Sequence, residues 1–481
     1  MTGHVLTRPA IAALGGVALS YIYIQYPDHN SMLSLFRRKA VSPSELIKTA
    51  LKPLPSVHNP DFARGFDSYA SSKVVLIGDA SHGTSEFYRA RAAITKRLIQ
   101  KYGFNIVAIE ADWPDAKAID NYVRHRPSET TSALQVFNRF PLWMWRNTEV
   151  QEFVDWLRIW NAAQTENNRV RFIGLDLYSM GTSIKAVIAY LDGVHPKLAQ
   201  LARKRYARLH PCVKDPAKYG LAVAQGRIST CESNLVKMLN DLSKERAKFT
   251  HEPDDSEAFW DVEMNARLVK DAEEYYRAMF SDDVRTDWNL RDTHMFHTLQ
   301  STLERTPGSK AVVWAHNSHL GDARASSMSW DRGELNLGQL CRERYAKPGE
   351  VSILGCGTHS GTVVAANEWD DPMELMTINP SMSGSWERIL HDTGIPSFLL
   401  DLREHEQNSK VMEALKKPLL QRFIGVIYRP RNERRFHYMK TVPANQYDGF
   451  IWFDQTSAVN AFEIAQPQGA ISKDETYPFG V

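Results

Sequence analysis

The residues from Lys73 to Arg91 read KVVLIGDASHGTSEFYRAR, and this stretch decides the fold class. Its apolar run, Val74-Val75-Leu76-Ile77, predicts a buried strand. Small and polar residues from Gly78 to Thr84 follow as a tight turn. Phe87, Ala90, Ile94 and Leu98 then recur at helical spacing. Strand, turn and helix are half of a βαβ unit, so the expectation is an α/β fold. In open α/β sheets, ligands bind where such turns leave the carboxyl ends of the strands. This turn carries Asp79 and His82, and we read it as the source of a hydrolase's general base.

Working outward, the chain repeats the pattern. Ile106–Ile109 predicts a second strand, ending in Glu110-Ala111-Asp112-Trp113-Pro114, with a helix from Pro114 to about Arg124. Glu149–Trp160 has helical spacing, Arg169–Leu177 reads as a third strand, and a helix follows from about Thr182 to Leu191. Residues 196–306 carry no convincing strand and predict a helical insertion or cap between the third and fourth strands. The fourth strand is Ala311-Val312-Val313-Trp314-Ala315-His316. Beyond it, Val351–Leu354 and Thr362–Ala366 read as two strands joined through the glycine-rich 355–361, and Phe398–Leu400, Phe423–Ile427 and Phe450–Phe453 as three more. The expected architecture is a mainly parallel central sheet flanked by helices. Pro53, Pro55 and Pro60 mark a linker, and the residues from Ser472 onward an exposed tail.

At 481 residues, with 43% hydrophobic and 24% charged, the composition is that of a soluble globular chain with a large core. A formal net charge of +2 gives no field for holding nucleic acid. Cys212, Cys231, Cys341 and Cys356 have no finger or redox spacing, which fits a reduced, cytoplasmic setting. One segment stands apart: Ala10–Tyr26 is almost wholly apolar, with Arg8 before it and Arg37-Arg38-Lys39 after it. It is at the lower limit for a membrane span, so anchoring or organelle targeting through residues 10–26 is the alternative. Residues 1–50 are therefore set apart from a domain of 51–481.

Four apolar runs end in titratable groups: Asp79 and His82; Glu110 and Asp112; Asp176; His316 and His319. If the strands are parallel, these ends meet at one edge of the sheet, where they perturb one another's protonation. Trp113, Trp143, Trp145 and Tyr178 are the aromatics expected to wall a pocket. No Gly-x-Ser-x-Gly elbow occurs, which disfavours a serine nucleophile, and there is no P-loop, complete dinucleotide fingerprint or HExxH helix. The His316-x-x-His319 pair with Glu110 leaves zinc or iron binding open as an alternative.

LIGDASHGTSEFYRAR, VAIEADWP, FPLWMWRNTEV, FIGLDLYSM, WNLRDTHM, VVWAHNSHLGDAR, NLGQLCRERY and GCGTHSGTV, in this order, resemble the erythromycin esterase family from about Leu51 onward. The resemblance implies hydrolysis of a macrolactone ester by activated water, without a covalent serine intermediate, cofactor or metal. It places water activation on His82. It implicates Glu110, Arg91, and His316 or His319, and brings in Arg291 and Asp292 from the sixth motif; His359, within GCGTHSGTV, is a further candidate for substrate binding. In the implied mechanism Asp79 or Glu110 orients His82, Arg91 stabilises the oxyanion with one of the later histidines, and one of those histidines protonates the leaving alkoxide. The expected partner is a small-molecule ester; another ester, or an acyl group on a polysaccharide, is the alternative substrate, and a non-catalytic homologue the alternative role. The resemblance has one departure, because the family usually carries glutamate where this chain has Asp79.

Overall fold

A computed structural model describes residues 42–462 apart from 128–132, 250–252, 281–284, 404–410, 412 and 414. The apolar segment 10–26 and the expected tail lie outside the described residues. Among those described, no helix is long and apolar enough to cross a membrane.

The fold is α/β, with a central sheet that is mostly parallel. Its strands are β1 (Leu51–Pro53), β2 (Val74–Asp79), β3 (Ile106–Asp112), β4 (Arg171–Asp176), β5 (Ala311–His316), β6 (Val351–Ala365), β7 (Glu374–Ile378), β8 (Ser397–Asp401) and β11 (Gly449–Thr456). β9 (Leu419–Arg422) and β10 (Tyr438–Thr441) form a separate antiparallel pair. The central order is β1-β8-β11-β6-β2-β5-β3-β4, with β7 added to β6. From β11 to β4 every neighbouring pair is parallel, while β8, β1 and β7 pair antiparallel. β2 is thus flanked by β6 and β5, and Asp79 sits in register with His316.

Because side chains alternate along a strand, β2 feeds two cores. Val75 and Ile77 face helix α1 (Ser85–Tyr102), meeting Phe87, Ala90, Ile94 and Leu98. Val74 and Leu76 face the other side, with Ile184, Val187 and Leu191 of α4 (Met180–Val194). α2 (Trp113–Val123) and α3 (Thr148–Ala162) pack on the α1 side, through Ala116, Ile119 and Val123 and through Val150, Phe153, Val154 and Leu157. The expected insertion is a run of helices, α5 (Pro196–Tyr206), α6 (Pro216–Ala224), α7 (Glu232–Phe249), α8 (Pro253–Ala278) and α9 (Thr286–Arg305). After β5 come the single turn α10 (Asn317–Leu320) and α11 (Leu337–Arg344).

Three expectations need correcting. The glycine-rich 355–361 is not a turn: β6 runs unbroken for 15 residues. Two of its glycines make room for rings, since a Cβ on Gly355 would lie 2.7 Å from the Tyr447 ring and one on Gly357 2.8 Å from that of Phe450. Phe423–Ile427 is not a strand of the sheet; β9 ends at Arg422, and the segment makes only isolated bridges, Ser81 to Ile424 and Ala366 to Ile427. The start of the proline-rich linker is the edge strand β1, a position where proline's missing N–H is tolerated.

Candidate functional site

The carboxyl ends of β2, β3, β4 and β5 do meet, and they bring buried charge together. Glycine at 78 is dictated by this crowding: a Cβ there would lie 2.1 Å from Asn317 Oδ1, whose amide clips Cys356 of β6. Asp79 ends β2 fully buried. Its Oδ2 pairs with Arg91 Nη1 at 2.8 Å, and its Oδ1 lies 3.5 Å from His82 Nδ1. Burial would raise this carboxyl, but Arg91 and His82 outweigh it and hold it below its ordinary value. The 3.5 Å gap is longer than a good hydrogen bond.

His82 is held by its own backbone, whose carbonyl accepts from Tyr88 Oη at 2.7 Å. Its Nε2 lies 3.9 Å from Glu110 Oε1. Glu110, on β3, accepts from Arg291 Nη2 at 2.9 Å and from the His316 backbone N–H at 2.8 Å. Against the penalty of burial, His319, His82 and Arg291 keep it ionised, well below the usual carboxylate range. Arg291 comes from α9 in the insertion. It grips Asp176 through two N–H groups, at 3.0 and 2.8 Å, the strong fork geometry that lysine cannot make.

The two later histidines are held in opposite states. His316 Nδ1 meets Ser318 Oγ at 2.8 Å, and its ring lies 5.0 Å from that of His82. Burial, and then the neighbouring His82, push it down to about 3. His319 stacks on Trp288 and stands between Asp292 (2.9 Å from Nδ1) and Glu110 (3.3 Å from Nε2). Burial opposes its charge, yet these two carboxylates raise it to about 9. Arg291 Nη1 also faces its Nε2 at 3.1 Å, a hydrogen bond only if His319 is neutral. The two carboxylates favour the imidazolium.

A cleft of about 540 Å³ opens over this cluster, lined by His82, Glu110, Asp112, Asp115, Arg139, Asp176, Tyr178 and Arg291, with Phe140, Trp145 and Trp369 among its apolar walls. Of the residues expected from sequence, His82, Glu110, Asp112, Asp176, Tyr178, Trp145 and Arg291 line it. Asp79, His316, His319 and Asp292 lie directly behind these. Arg91 does not reach the cleft. It is wholly buried beneath Asp79, with the Tyr88 ring 4.3 Å away, so the arginine of the cleft wall beside Glu110 is Arg291 instead. Trp113 is elsewhere, donating to Asp261 Oδ1 at 2.8 Å and packing edge-on to Trp260 where the insertion meets α2. Trp143 is core beside Phe140, and His359 stacks on His391 with Ser381 Oγ at 2.6 Å, away from the cleft. Sequence reasoning missed Arg139, which donates to Asp112 Oδ2 at 3.2 Å from an irregular segment without periodicity. It also missed Asp115, whose signal was its place three residues after Asp112 in EADWPD. Among the described residues, no cluster of three or more His, Cys, Asp or Glu side chains is placed to hold a metal ion.

Sheet, insertion and cleft define an α/β protein with an acid–histidine–arginine site at the carboxyl edge of its strands. The family model for erythromycin esterase matches residues 99–456, and the chain belongs to that family. It is 22% identical over 416 residues to a Bacillus subtilis (strain 168) protein named "Putative hydrolase YbfO", covering 79% of this chain and 83% of that one. Family and relative together support a hydrolase. Two solved structures share the fold. One, of a succinoglycan biosynthesis protein, is 19% identical, with a TM-score of 0.71 over 87% of this chain and 98% of the other. The other, of a variant of the erythromycin esterase EreC in its open conformation, is 14% identical, with a TM-score of 0.59 over 86% of this chain and 98% of the other.

Proposed function

We propose that this protein hydrolyses a carboxylic ester, of lactone type, by direct attack of a water activated by His82. The observation that carries the reading is His82 itself: it lines the cleft with Asp79 behind Nδ1 and Glu110 beside Nε2. The other candidates are poorly suited to act as base. Glu110 and Asp79 are held ionised below their ordinary range, His316 is pushed down to about 3, and His319 is already charged. In this mechanism a water bound between His82 Nε2 and Glu110 loses a proton to the imidazole. Asp79 stabilises the imidazolium, as an acid does in hydrolytic triads. The hydroxide attacks the ester carbonyl, and Arg291 meets the charge that develops on its oxygen. Arg91 works at one remove, holding Asp79.

A macrolide ring is the substrate that the family's name suggests. The cleft shares Asp112, Asp115, Arg139, Phe140 and Tyr178 with an outer cavity of about 980 Å³, which adds Lys214, Tyr276 and Asp370. Aromatic and polar groups side by side suit a sugar ring, and this favours a second reading, removal of an acyl group from a polysaccharide. A screen of macrolactones, simple esters and acylated sugars by mass spectrometry tests both, each product gaining the elements of water. Wild-type protein is expected to convert at least one class and His82→Asn none; wild-type rates in His82→Asn would end the proposal.

A further inference from the structure

An ester whose leaving group is an alkoxide needs a proton at that oxygen. His82 gains one proton in the first step, and the question is which group hands it to the leaving oxygen. His316 is neutral and buried, and His319 is committed to two carboxylates behind the cleft wall.

The acids that line the cleft can be accounted for one by one. Glu110 has Arg291, His319 and the His316 N–H; Asp176 has Arg291; Asp112 has Arg139 and the Ser179 N–H at 3.2 Å. Asp115 is different. It stands in the first turn of α2 and lines both the cleft and the outer cavity. No hydrogen bond or ion pair to it occurs among the described residues. The charges that act on it are Asp112 and Arg139, which line both cavities with it; the cleft also holds His82, Glu110, Asp176 and Arg291, and the outer cavity Lys214 and Asp370.

We propose that Asp115 is the acid that protonates the leaving oxygen, acting from the lining that the cleft and the outer cavity share, with the leaving half of the substrate on the outer side. The proposal rests on the ester-hydrolase reading above. In the step concerned, the tetrahedral adduct collapses, its carbon–oxygen bond to the leaving group breaks, and that oxygen takes the Asp115 proton as the alcohol departs. The carboxylate regains a proton from the imidazolium of His82 through water, so one water is consumed and no other reagent is needed. Burial, and then the nearby Asp112, push the Asp115 carboxyl up to about 8, so it holds a proton at neutral pH.

The test compares alkyl esters, whose leaving group needs a proton, with p-nitrophenyl esters, whose leaving group does not. In Asp115→Asn the alkyl-to-aryl rate ratio is expected to fall by about 10²-fold or more, the usual scale of general-acid catalysis. An equal loss on both substrates would mean that Asp115 only supports the helix start, and would overturn the proposal. The wild type gives a second measurement that needs no variant. Its alkyl-ester rate is expected to fall above about pH 8, while the aryl-ester rate does not fall there. A limb common to both substrates would point to His319 and count against Asp115. If the wild type hydrolyses neither ester, the underlying reading fails first and is distinguished from failure of the acid alone.

Discussion

A methyl group on Gly83 would lie 1.9 Å from the Val364 carbonyl oxygen and 2.8 Å from the Val364 nitrogen, both backbone atoms that cannot step aside. The Gly83 carbonyl in turn accepts from Val364 N–H at 3.1 Å and Val459 N–H at 3.0 Å. The turn that carries His82 is therefore pinned to β6 and to the end of β11, and Gly83→Ala is expected to cost several-fold in folded yield and nearly all activity, read by soluble yield and ester turnover. Arg91→Met strands the Asp79 carboxylate in the core; breaking a buried pair in this way costs about 3–5 kcal/mol, measured by urea unfolding. Protonation gives a third check. The folded value of His319, about 9, stands above its ordinary 6.5. Its contribution to stability is complete below pH 6.5 and is lost as the pH rises through 9. Unfolding midpoints should fall over that window in the wild type, and fall less in His319→Gln.

At the scale of elements, what was legible followed from periodicity and what was not followed from packing. The runs that became β2 to β5 announced themselves as apolar stretches closed by titratable groups, and the parallel arrangement then put those groups at one edge. The joining of 351–354 to 362–366 was hidden, because glycine in a sequence signals a turn whereas here it admits the Tyr447 and Phe450 rings. The place of Arg91 was half-visible. It lies on the same stripe of α1 as Phe87, Ile94 and Leu98, facing the sheet, so it ends under Asp79 and not in the cleft. Arg291 holds the place at the cleft wall expected of Arg91, but it lies 115 positions along the chain from Asp176, a distance that no local pattern spans. Trp113 illustrates the opposite error: its place after the second strand suggested a pocket wall, while its N–H is spent on Asp261 of α8. Trp113→Ala is expected to cost about 3–5 kcal/mol, the usual range for a large buried aromatic, and to lower activity by loosening the insertion that carries Arg291. Thermal melts and turnover measured on one sample check both effects.

For the molecule as a whole, the insertion and the sheet are electrically one object. Asp79, Glu110, Asp176 and Asp292 face Arg91, Arg291 and His319 in the buried cluster, and two members, Arg291 and Asp292, come from α9. With the four acids ionised, the three cations leave the cluster one negative charge in excess. Deleting the insertion would not leave a smaller enzyme. It would leave Glu110 and Asp176 buried beside each other without their shared cation, and Arg291→Leu is expected to abolish turnover and to cost about 3–5 kcal/mol in urea unfolding.

The arrival of α9 at the edge of the sheet also bears on the order of events in the chain's own birth. Strands β2, β3 and β4 are synthesised before the helices that bring Arg291, and β5 after them. The sheet's acids must then wait for their counter-ion, so catalytic competence marks the completion of folding and cannot precede it. Turnover regained after dilution from denaturant should appear in the same kinetic phase as the fluorescence change of Trp113 against Trp260, with no earlier, partly active species.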